Sequence, residues 1–380
     1  MDVATHALAS LTLARAIIPR APRLSWAVAI LAGTIADLDF LSAYFGPSAY
    51  FAWHRTYLHS FLASLFFAAA ISLLYRALAP KPMQERFTFR AAFLIALLAQ
   101  ALHLAMDACQ WQGLALFWPF STSRIAADWL ANVDPWIIAV LVAALALPEL
   151  LHLVSSEIGA REKKPRGRTA AILAFATIFV YVATRATLHS NVIATLEART
   201  YGGESTRRVA AFPETTSPFT WHCLVDTDRA LHQLTVNVGP AASFDPENSV
   251  NLFKPEPTPM LEAARNTPAA KQFLATARFP KATVQSTTTG YQVQFRDLTY
   301  AAAAETHREI IAVVDLDPSN KVLTDELRWA PRLTKSGQSL VGAQHRCAPV
   351  VEVSNTMRFS TPAASMRRTL SPAPHLQSYF

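Results

Sequence analysis

The segment FLASLFFAAAISLLY at residues 61–75 contains no charged residue. It lies within a longer apolar run, 59–79, which is close to the roughly 20 residues that an α-helix needs to cross the hydrocarbon core of a bilayer. The run 135–154 has the same character. These two segments therefore predict membrane-spanning helices.

Four further apolar segments extend this pattern. The segments 90–108 and 170–190 are shorter but remain good candidates for spans, while 6–18 and 24–36 could be embedded, half-spanning or tilted helices. Across its 380 residues the chain is 52% hydrophobic and only 16% charged, whereas a soluble domain carries about a quarter charged residues. We therefore predict an α-helical polytopic membrane bundle of about five or six helices.

The basic residues predict how this bundle is oriented. If all six segments cross the membrane, one set of connecting loops holds nearly all the positive charge: Arg20, Arg23, Lys81, Arg86, Arg90 and the run REKKPRGR at 161–168. The opposite loops, 45–58 and 109–133, hold only Arg55 and Arg124. Because positively charged loops stay in the cytoplasm, the second set of loops and everything after residue 190 are predicted to face the non-cytoplasmic side. No basic segment with a small-residue cleavage site opens the chain, so no removable signal peptide is expected.

The second half of the chain has a different sequence pattern. Short runs rich in β-branched residues, such as TWHCLVD at 220–226 and IIAVVDLD at 310–317, predict a mainly β (α+β) soluble domain. Residues 246–260 read as a loop and 259–279 as helical. The predicted domains are 1–195 in the membrane, 196–360 as the β-rich domain and 361–380 as a disordered tail.

Charge and cysteine content narrow the function classes. The net charge of +7 comes from loop clusters that anchor membrane helices, and no basic face interleaved with aromatic residues indicates nucleic-acid binding. The three cysteines contain no CxxC, which argues against a thiolate zinc site. Cys223 and Cys347 could pair in an oxidising compartment, but two cysteines so far apart leave the question open.

Ionisable side chains inside apolar segments are costly and tend to mark function. In the six-helix prediction they gather at the same, non-cytoplasmic ends of the helices: His6, Asp37, Asp39, His54, Arg55, His59, His103, Asp107, Asp128 and Asp134. An arbitrary scatter would divide between the two ends. The set therefore predicts one shared site.

The spacing of this set is typical of metal ligands. His103 and Asp107 are four residues apart and project from one helix face. Asp37 and Asp39 could converge only at a helix end or turn, and we place His54 in a loop with His59 in the first turn of the following helix. Imidazole and carboxylate ligands without cysteine suit zinc, manganese or iron in an open catalytic site.

Simpler interpretations exist for single members of the set. His6 alone could be an interfacial polar residue, and Asp134 before Pro135 could only cap a helix. Arg55 could extend to lipid headgroups. Three histidines and three aspartates at one end of a bundle nevertheless favour a metal site.

The order of these motifs resembles the YdjM-like family of predicted inner-membrane metal-dependent hydrolases. The resemblance rests on six separated motifs in residues 1–150: His6, ADLDF, HRTYLHS, HLAMDACQWQG, FWPFS and NVDP. Ala36 replaces the usual proline, and Thr56 and Leu58 replace glycine and threonine, beside the expected ligands. The stretch SPFTWHCLVDTD at 217–228 is similar to the start of a soluble extension found in one branch of that family.

A more remote similarity is to the zinc-dependent phospholipase C and P1 nuclease superfamily of phosphodiesterases. It implies His6, Asp37 or Asp39, His59, His103 and Asp107 as ligands of one or two divalent ions, most simply zinc. That superfamily has a later H-x-x-x-E pair, which the membrane half of this chain lacks after residue 107. A complete three-metal site is therefore not expected.

These observations lead to a functional hypothesis. The protein is expected to be a membrane-bound hydrolase of a phosphodiester or other ester in a lipid-like substrate, because a bound metal acidifies water. Asp37 or Asp39 is the expected general base, and Arg55 would bind an anionic group. The alternatives are a metal or ion transporter and a non-catalytic scaffold with the same His and Asp cluster. A transporter would place its ligands near the bilayer midplane.

Overall fold

The computed structural model describes residues 1–18, 23–157, 167–239, 244–303 and 309–331. The first half is helical, with elements at α1 (Val3–Ile17), α2 (Arg23–Thr34), a 3₁₀ segment (Ile35–Phe45), α3 (Pro47–Trp53), α4 (Phe61–Leu78), α5 (Lys81–Arg86), α6 (Phe89–Ala108), α7 (Pro135–Glu157) and α8 (Arg168–Glu197). The second half contains eight strands among these residues.

The predicted helical membrane bundle is confirmed. Among the described residues, five helical segments are long and apolar enough to cross a membrane: Leu24–Phe45, Phe61–Leu78, Phe89–Ala108, Pro135–Leu153 and Arg168–Glu197. The apolar helix α1, Val3–Ile17, is shorter. One span is longer than expected, because the 3₁₀ segment that carries Asp37 and Asp39 continues α2 to Phe45.

Small side chains let the helices around α6 approach closely. Ala32 of α2, Ala68 of α4 and Ala96 of α6 are fully buried in one shared core. Small residues at helix contacts favour close backbone packing in membranes, where lipid offers no hydrophobic driving force. On the other side of α2, a Cβ atom added at Gly33 would lie 1.8 Å from Ser10 Oγ of α1, so only glycine permits this contact.

Side-chain caps fix the ends of the helices near the site. Ser60 Oγ accepts the Ala63 N–H at 3.1 Å and caps α4, which begins at Phe61. His59 therefore lies immediately before the cap and not in the first helical turn. Asp2 caps α1 in the same way through the Thr5 N–H.

The second half forms two antiparallel sheets of four strands each. The first sheet has the order β1 (Arg208–Pro213), β2 (Thr220–Asp226), β3 (Ala230–Asn237) and β4 (Val250–Phe253). The second has the order β5 (Pro280–Thr287), β6 (Gly290–Asp297), β7 (Glu309–Leu316) and β8 (Val322–Ala330), accompanied by α9 (Pro259–Arg265), α10 (Pro268–Leu274) and α11 (Thr299–Ala302). This confirms a mainly β domain that also contains helices.

Two details of this half differ from expectation. Part of the predicted loop 246–260 is strand β4, because residues 250–253 complete the edge of the first sheet against β3. The predicted helix 259–279 is two short helices, since Thr267 caps α10 and Pro268 cannot continue α9. The second sheet packs Phe295 and Val314 against α9 and α10 through Leu261 and Phe273.

Two arginines join the membrane helices to the soluble domain. Arg185 of α8 is buried, donates from Nε to the Trp129 carbonyl at 3.1 Å, and lies 4.3 Å from the centre of the Trp221 ring in β2. Arg278 of the soluble domain forms a two-pronged ion pair with Asp128, at 2.7 and 2.6 Å. Both halves, as far as they are described, lie in one compact unit.

The predicted domain boundary at 195/196 falls in the last turn of α8, and β1 begins at Arg208. The predicted tail 361–380, Cys347 and most of the basic run 161–168 lie outside the described residues. The tail and the cysteine pairing therefore stay predictions.

Candidate metal centre

Three helical elements bring four of the predicted ligands together. His6 comes from α1, Asp37 from the 3₁₀ segment, and His103 and Asp107 from the last two turns of α6. One ligand atom from each of these residues lies within 4.8 Å of all the others. We call these four residues the metal cluster.

Inside the metal cluster, His6 Nε2 is in hydrogen-bond contact with Asp107 Oδ1 at 3.2 Å, whereas the separations from His103 are longer. His103 Nε2 lies 3.6 Å from Asp107 Oδ2 and 3.9 Å from Asp37 Oδ1, both too long for a hydrogen bond. Ligands held about 2.1 Å from one tetrahedral ion are about 3.4 Å apart. His6, Asp37, His103 and Asp107 would be the residues that hold a divalent ion here.

Several polar atoms at the cluster are buried without a hydrogen-bond partner among the described residues: His6 Nδ1, Asp37 Oδ2 and His103 Nε2. Native proteins leave few such groups unpaired, because each costs about 1–3 kcal/mol in lost hydration. Lone pairs that converge at one point in this way could hold a cation.

His103 is oriented by its second ring nitrogen. Its Nδ1 lies 2.9 Å from the carbonyl oxygen of Gly33 and can only donate to it, which leaves Nε2 as the lone-pair atom facing the cluster. A histidine ligand typically has such a partner. One turn earlier in α6, Gln100 donates to the Ala32 carbonyl at 2.6 Å and fixes α6 against α2.

His59 lies beside the metal cluster and is fully buried. Its Nδ1 is 3.0 Å from Asp39 Oδ2, and its Nε2 is 3.3 Å from Asp107 Oδ2. Burial alone would lower the pKa of His59, but the carboxylates of Asp107, Asp37 and Asp39 raise it to about 10. The carboxylates thus hold positive charge here even without an ion.

Asp39 serves the loop before α4 instead of the metal cluster. A 3₁₀ helix has about three residues per turn, so positions two apart point in different directions. Asp39 Oδ1 lies 3.0 Å from His54 Nδ1, and Asp39 Oδ2 accepts the Arg55 N–H at 2.7 Å. His54 stacks on Tyr50 with ring centres 4.5 Å apart and lies outside the cluster.

Arg55 is buried beside the cluster in a left-handed backbone conformation with φ of 56°. One terminal nitrogen donates to Gln110 Oε1 at 2.7 Å and approaches Asp107 Oδ1 at 3.3 Å. The other terminal nitrogen is buried without a partner among the described residues. Arg55 is therefore placed to bind an anion next to the metal cluster.

Gln110 was missed by the sequence reasoning. It is buried, accepts from Arg55 and from the Met1 nitrogen at 2.9 Å, and donates weakly to the Ala131 carbonyl at 3.3 Å. A polar residue one turn beyond Asp107 in an apolar context was the available signal.

Two predicted members of the set lie elsewhere. Asp134 caps α7, accepting from Trp136 N at 3.1 Å and Ile137 N at 3.2 Å, as its simpler interpretation anticipated. Asp128 pairs with Arg278. Neither belongs to the metal cluster.

A cavity of about 720 Å³ adjoins the cluster. Asp37 and Arg55 line it from the membrane half, and Phe273 and Trp329 line it from the soluble domain. The cluster can therefore be reached from a space large enough for a small organic molecule or a lipid headgroup.

The fold and site together define a multi-pass membrane protein with a buried His and Asp centre at one end of its helices. The family comparison agrees: the chain belongs to the YdjM inner membrane protein family, whose model matches residues 1–191. A second model, the YfhP C-terminal alpha/beta plait domain, matches residues 259–338, which begin at α9 and include the second sheet. No curated protein and no solved structure gives a significant match.

Proposed function

We propose that this protein is a membrane-bound, metal-dependent hydrolase. The observation that carries the proposal is the convergence of His6, Asp37, His103 and Asp107 within 4.8 Å, with buried ligand atoms that lack hydrogen-bond partners among the described residues. A purely structural polar network would satisfy its own atoms.

The donor set fits a divalent transition metal, with zinc as the first candidate. Two imidazole nitrogens and two carboxylates match zinc, manganese or iron, and no cysteine belongs to the cluster. His59 flanks the four residues and could help to hold a second ion. The proposal therefore allows one or two ions.

The other catalytic roles in this proposal fall to side chains of the protein. A bound divalent ion supplies a Lewis acid that makes water acidic enough to attack at neutral pH. Asp37 lines the cavity and keeps Oδ2 unpaired, so it is the better-placed general base. Asp39 has both oxygens engaged and acts as a positioning residue for the loop that carries Arg55.

The proposed substrate is a phosphodiester or other ester of a lipid-like molecule. Arg55, with its unpaired terminal nitrogen, would bind the anionic group, because a planar guanidinium matches phosphate oxygens. The loop charges favour a site and soluble domain on the non-cytoplasmic side. The ligands from α6 lie at its end and not midway along it, which supports a hydrolase over a transporter.

The test measures metal content and hydrolysis in the full-length protein purified in detergent. We expect stoichiometric metal in the wild type and loss of most of that metal in His103→Asn. Hydrolysis of bis-p-nitrophenyl phosphate should fall at least 100-fold in the same variant. His152→Asn, in membrane helix α7 and outside the cluster, is the matched control.

The two measurements can fail separately. If His103→Asn keeps its metal, the ligand assignment is wrong. If metal is lost but the metal-loaded wild type hydrolyses neither phosphodiesters nor carboxylic esters, the protein is a metal-binding or transport protein and not a hydrolase.

A further inference from the structure

We propose that the cavity binds the phosphate group of an anionic lipid, with Arg124 as a second anion-binding residue and the soluble domain as the wall that contacts the rest of the molecule. This inference rests on the proposed function, because it names the substrate class of the same site. It adds a residue and a domain that the sequence reasoning did not connect with the site.

Arg124 is a half-buried cation that lacks a balancing carboxylate. It lines the cavity, and one terminal nitrogen donates to the His54 carbonyl and to Thr56 Oγ1, each at 3.1 Å. No carboxylate of the described residues forms an ion pair with it. Burial lowers the pKa of Arg124, and the Asp39 carboxylate offsets this only in part.

Arg55 supplies a second cation to the same space. It is 3% exposed, lines the cavity and keeps one buried terminal nitrogen without a hydrogen-bond partner among the described residues. A buried donor of this kind is expensive unless a ligand accepts from it. Two guanidinium groups in one cavity match the oxygens of a phosphate, which accept several charge-assisted hydrogen bonds.

The third arginine of the cavity has a different role. Arg278 directs both terminal nitrogens to the Asp128 carboxylate and one of them also to the Trp111 carbonyl at 3.1 Å. Its charge is therefore already balanced, and it holds the soluble domain against the membrane half. The lining also contains Asp2, Asp37 and Asp297. The cations with capacity left for an anion are Arg124, which forms no ion pair among the described residues, and Arg55, which keeps one unpaired terminal nitrogen.

The soluble domain supplies an aromatic wall. Trp329 of β8 lies 5.3 Å from the Tyr50 ring, and Phe273 of α10 stacks 5.8 Å from the Phe51 ring, all four side chains lining the cavity. Apolar walls with a few charged groups suit a ligand that is anionic at one end and apolar elsewhere. Free phosphate would make no use of this wall.

The end of a candidate membrane span lines part of the cavity. Phe40 and Ala43 line it and belong to the membrane-spanning segment Leu24–Phe45, whose last residues Tyr44 and Phe45 are 83% and 84% exposed. Aromatic residues at the end of a span lie at the level of lipid headgroups. A lipid could therefore enter the cavity from the bilayer, which favours a lipid phosphate over a soluble one.

The test is a calorimetric titration of the full-length protein in a non-ionic detergent. The probes are dihexanoylphosphatidylglycerol, neutral dihexanoylglycerol and inorganic phosphate. We expect the anionic lipid to bind at least tenfold more tightly than either of the others. Arg124→Gln should weaken binding of the anionic lipid about tenfold and leave binding of the neutral lipid unchanged, because the substitution removes charge-assisted hydrogen bonds.

Two variants separate the parts of the inference. Arg86→Gln removes an exposed cation at the opposite end of α4 and α6 and should bind like the wild type. Trp329→Leu should weaken binding of the anionic lipid several-fold without changing binding of inorganic phosphate. Metal content and thermal stability, measured for every variant, show that the fold is intact.

Three outcomes would overturn the inference. They are unchanged lipid affinity in Arg124→Gln, equal affinity for anionic and neutral lipid, and inorganic phosphate bound as tightly as the lipid. Lipid binding and hydrolysis are separate measurements, so failure of the metal and hydrolysis tests can be told apart from failure of this inference.

Discussion

Two buried aspartates, one at the metal cluster and one in the soluble domain, differ in how their oxygens are satisfied. Asp297 is 6% exposed and accepts hydrogen bonds from the backbone of Arg278, Phe279 and Thr299 at 2.8 to 3.0 Å, and from Thr299 Oγ1 at 2.6 Å. Asp107 is fully buried, and its Oδ1 contacts the Met1 nitrogen, His6 and Arg55. Its Oδ2 faces His59 Nε2 at 3.3 Å without a hydrogen bond of good geometry. The first carboxylate is complete within the chain, and the second is not.

The buried histidines repeat this difference. His222 of β2 pairs with Thr235 Oγ1 at 3.3 Å and with the Glu214 carboxylate, so both ring nitrogens are used. His103 uses one nitrogen on the Gly33 carbonyl and leaves the other unpaired. Burial alone therefore does not mark the site. Unsatisfied atoms that converge on one point do.

The largest predicted effect comes from replacing these two aspartates with asparagine. Asp297→Asn should lower the free energy of unfolding by about 3 kcal/mol, because the amide group turns a donor toward backbone N–H groups. It should leave metal content unchanged. Asp107→Asn should abolish stoichiometric metal binding, and with it the stabilisation of about 4 kcal/mol that a ligand at 1,000 times its Kd provides.

Chemical unfolding in detergent, with and without chelator, measures both effects. The chelator should destabilise the wild type and Asp297→Asn equally and should have little effect on Asp107→Asn. Loss of metal in Asp297→Asn, or a chelator effect preserved in Asp107→Asn, would remove the distinction between a structural and a ligand carboxylate.

Sequence reasoning anticipated the metal cluster because helical spacing is regular. His103 and Asp107 share a face at a separation of four residues, and apolar runs fixed which ends of the helices meet. The shared helix ends grouped His6 and the Asp37 and Asp39 pair with them, and the family resemblance agreed. These inferences depend only on local geometry and helix direction.

Sequence reasoning ranked His59 above His54 but did not separate Asp37 from Asp39. The 3₁₀ segment decides which aspartate faces the cluster, and its tighter turn depends on packing that no local pattern shows. The contribution of Arg124 and Trp329 was equally inaccessible, since their common cavity requires two distant parts of the chain to meet.

The next largest effect concerns the carbonyl that orients His103. Gly33→Ala would place a Cβ atom 1.8 Å from Ser10 Oγ, so α1 and α2 must move apart. Overpacking of this kind typically costs about 1–3 kcal/mol. Because the shift also displaces His6 and the His103 partner, metal affinity should fall about 10-fold or more.

A second substitution sharpens this prediction. Ser10→Gly removes both atoms that the new methyl group would meet, so the Gly33→Ala, Ser10→Gly double variant should recover much of the lost metal affinity. Its stability should still be lower, because glycine within a helix costs about 1 kcal/mol. Equal metal affinity in wild type and Gly33→Ala would show that the Gly33 carbonyl does not set the orientation of His103.

The smallest expected effect concerns the chemical reactivity of Cys223, a thiol in the soluble domain. Cys223 is fully buried in β2, and burial raises its pKa well above the ordinary range, so little reactive thiolate exists at neutral pH. Iodoacetamide at pH 8 should therefore leave Cys223 unlabelled in the native protein and label it fully after unfolding in urea, as judged by mass spectrometry.

Labelling that required a reductant as well would reveal the Cys223–Cys347 disulfide that the sequence left open. Rapid native labelling would instead show that this half of the molecule opens readily, and its buried groups could not then serve as the rigid counterpart of the metal cluster.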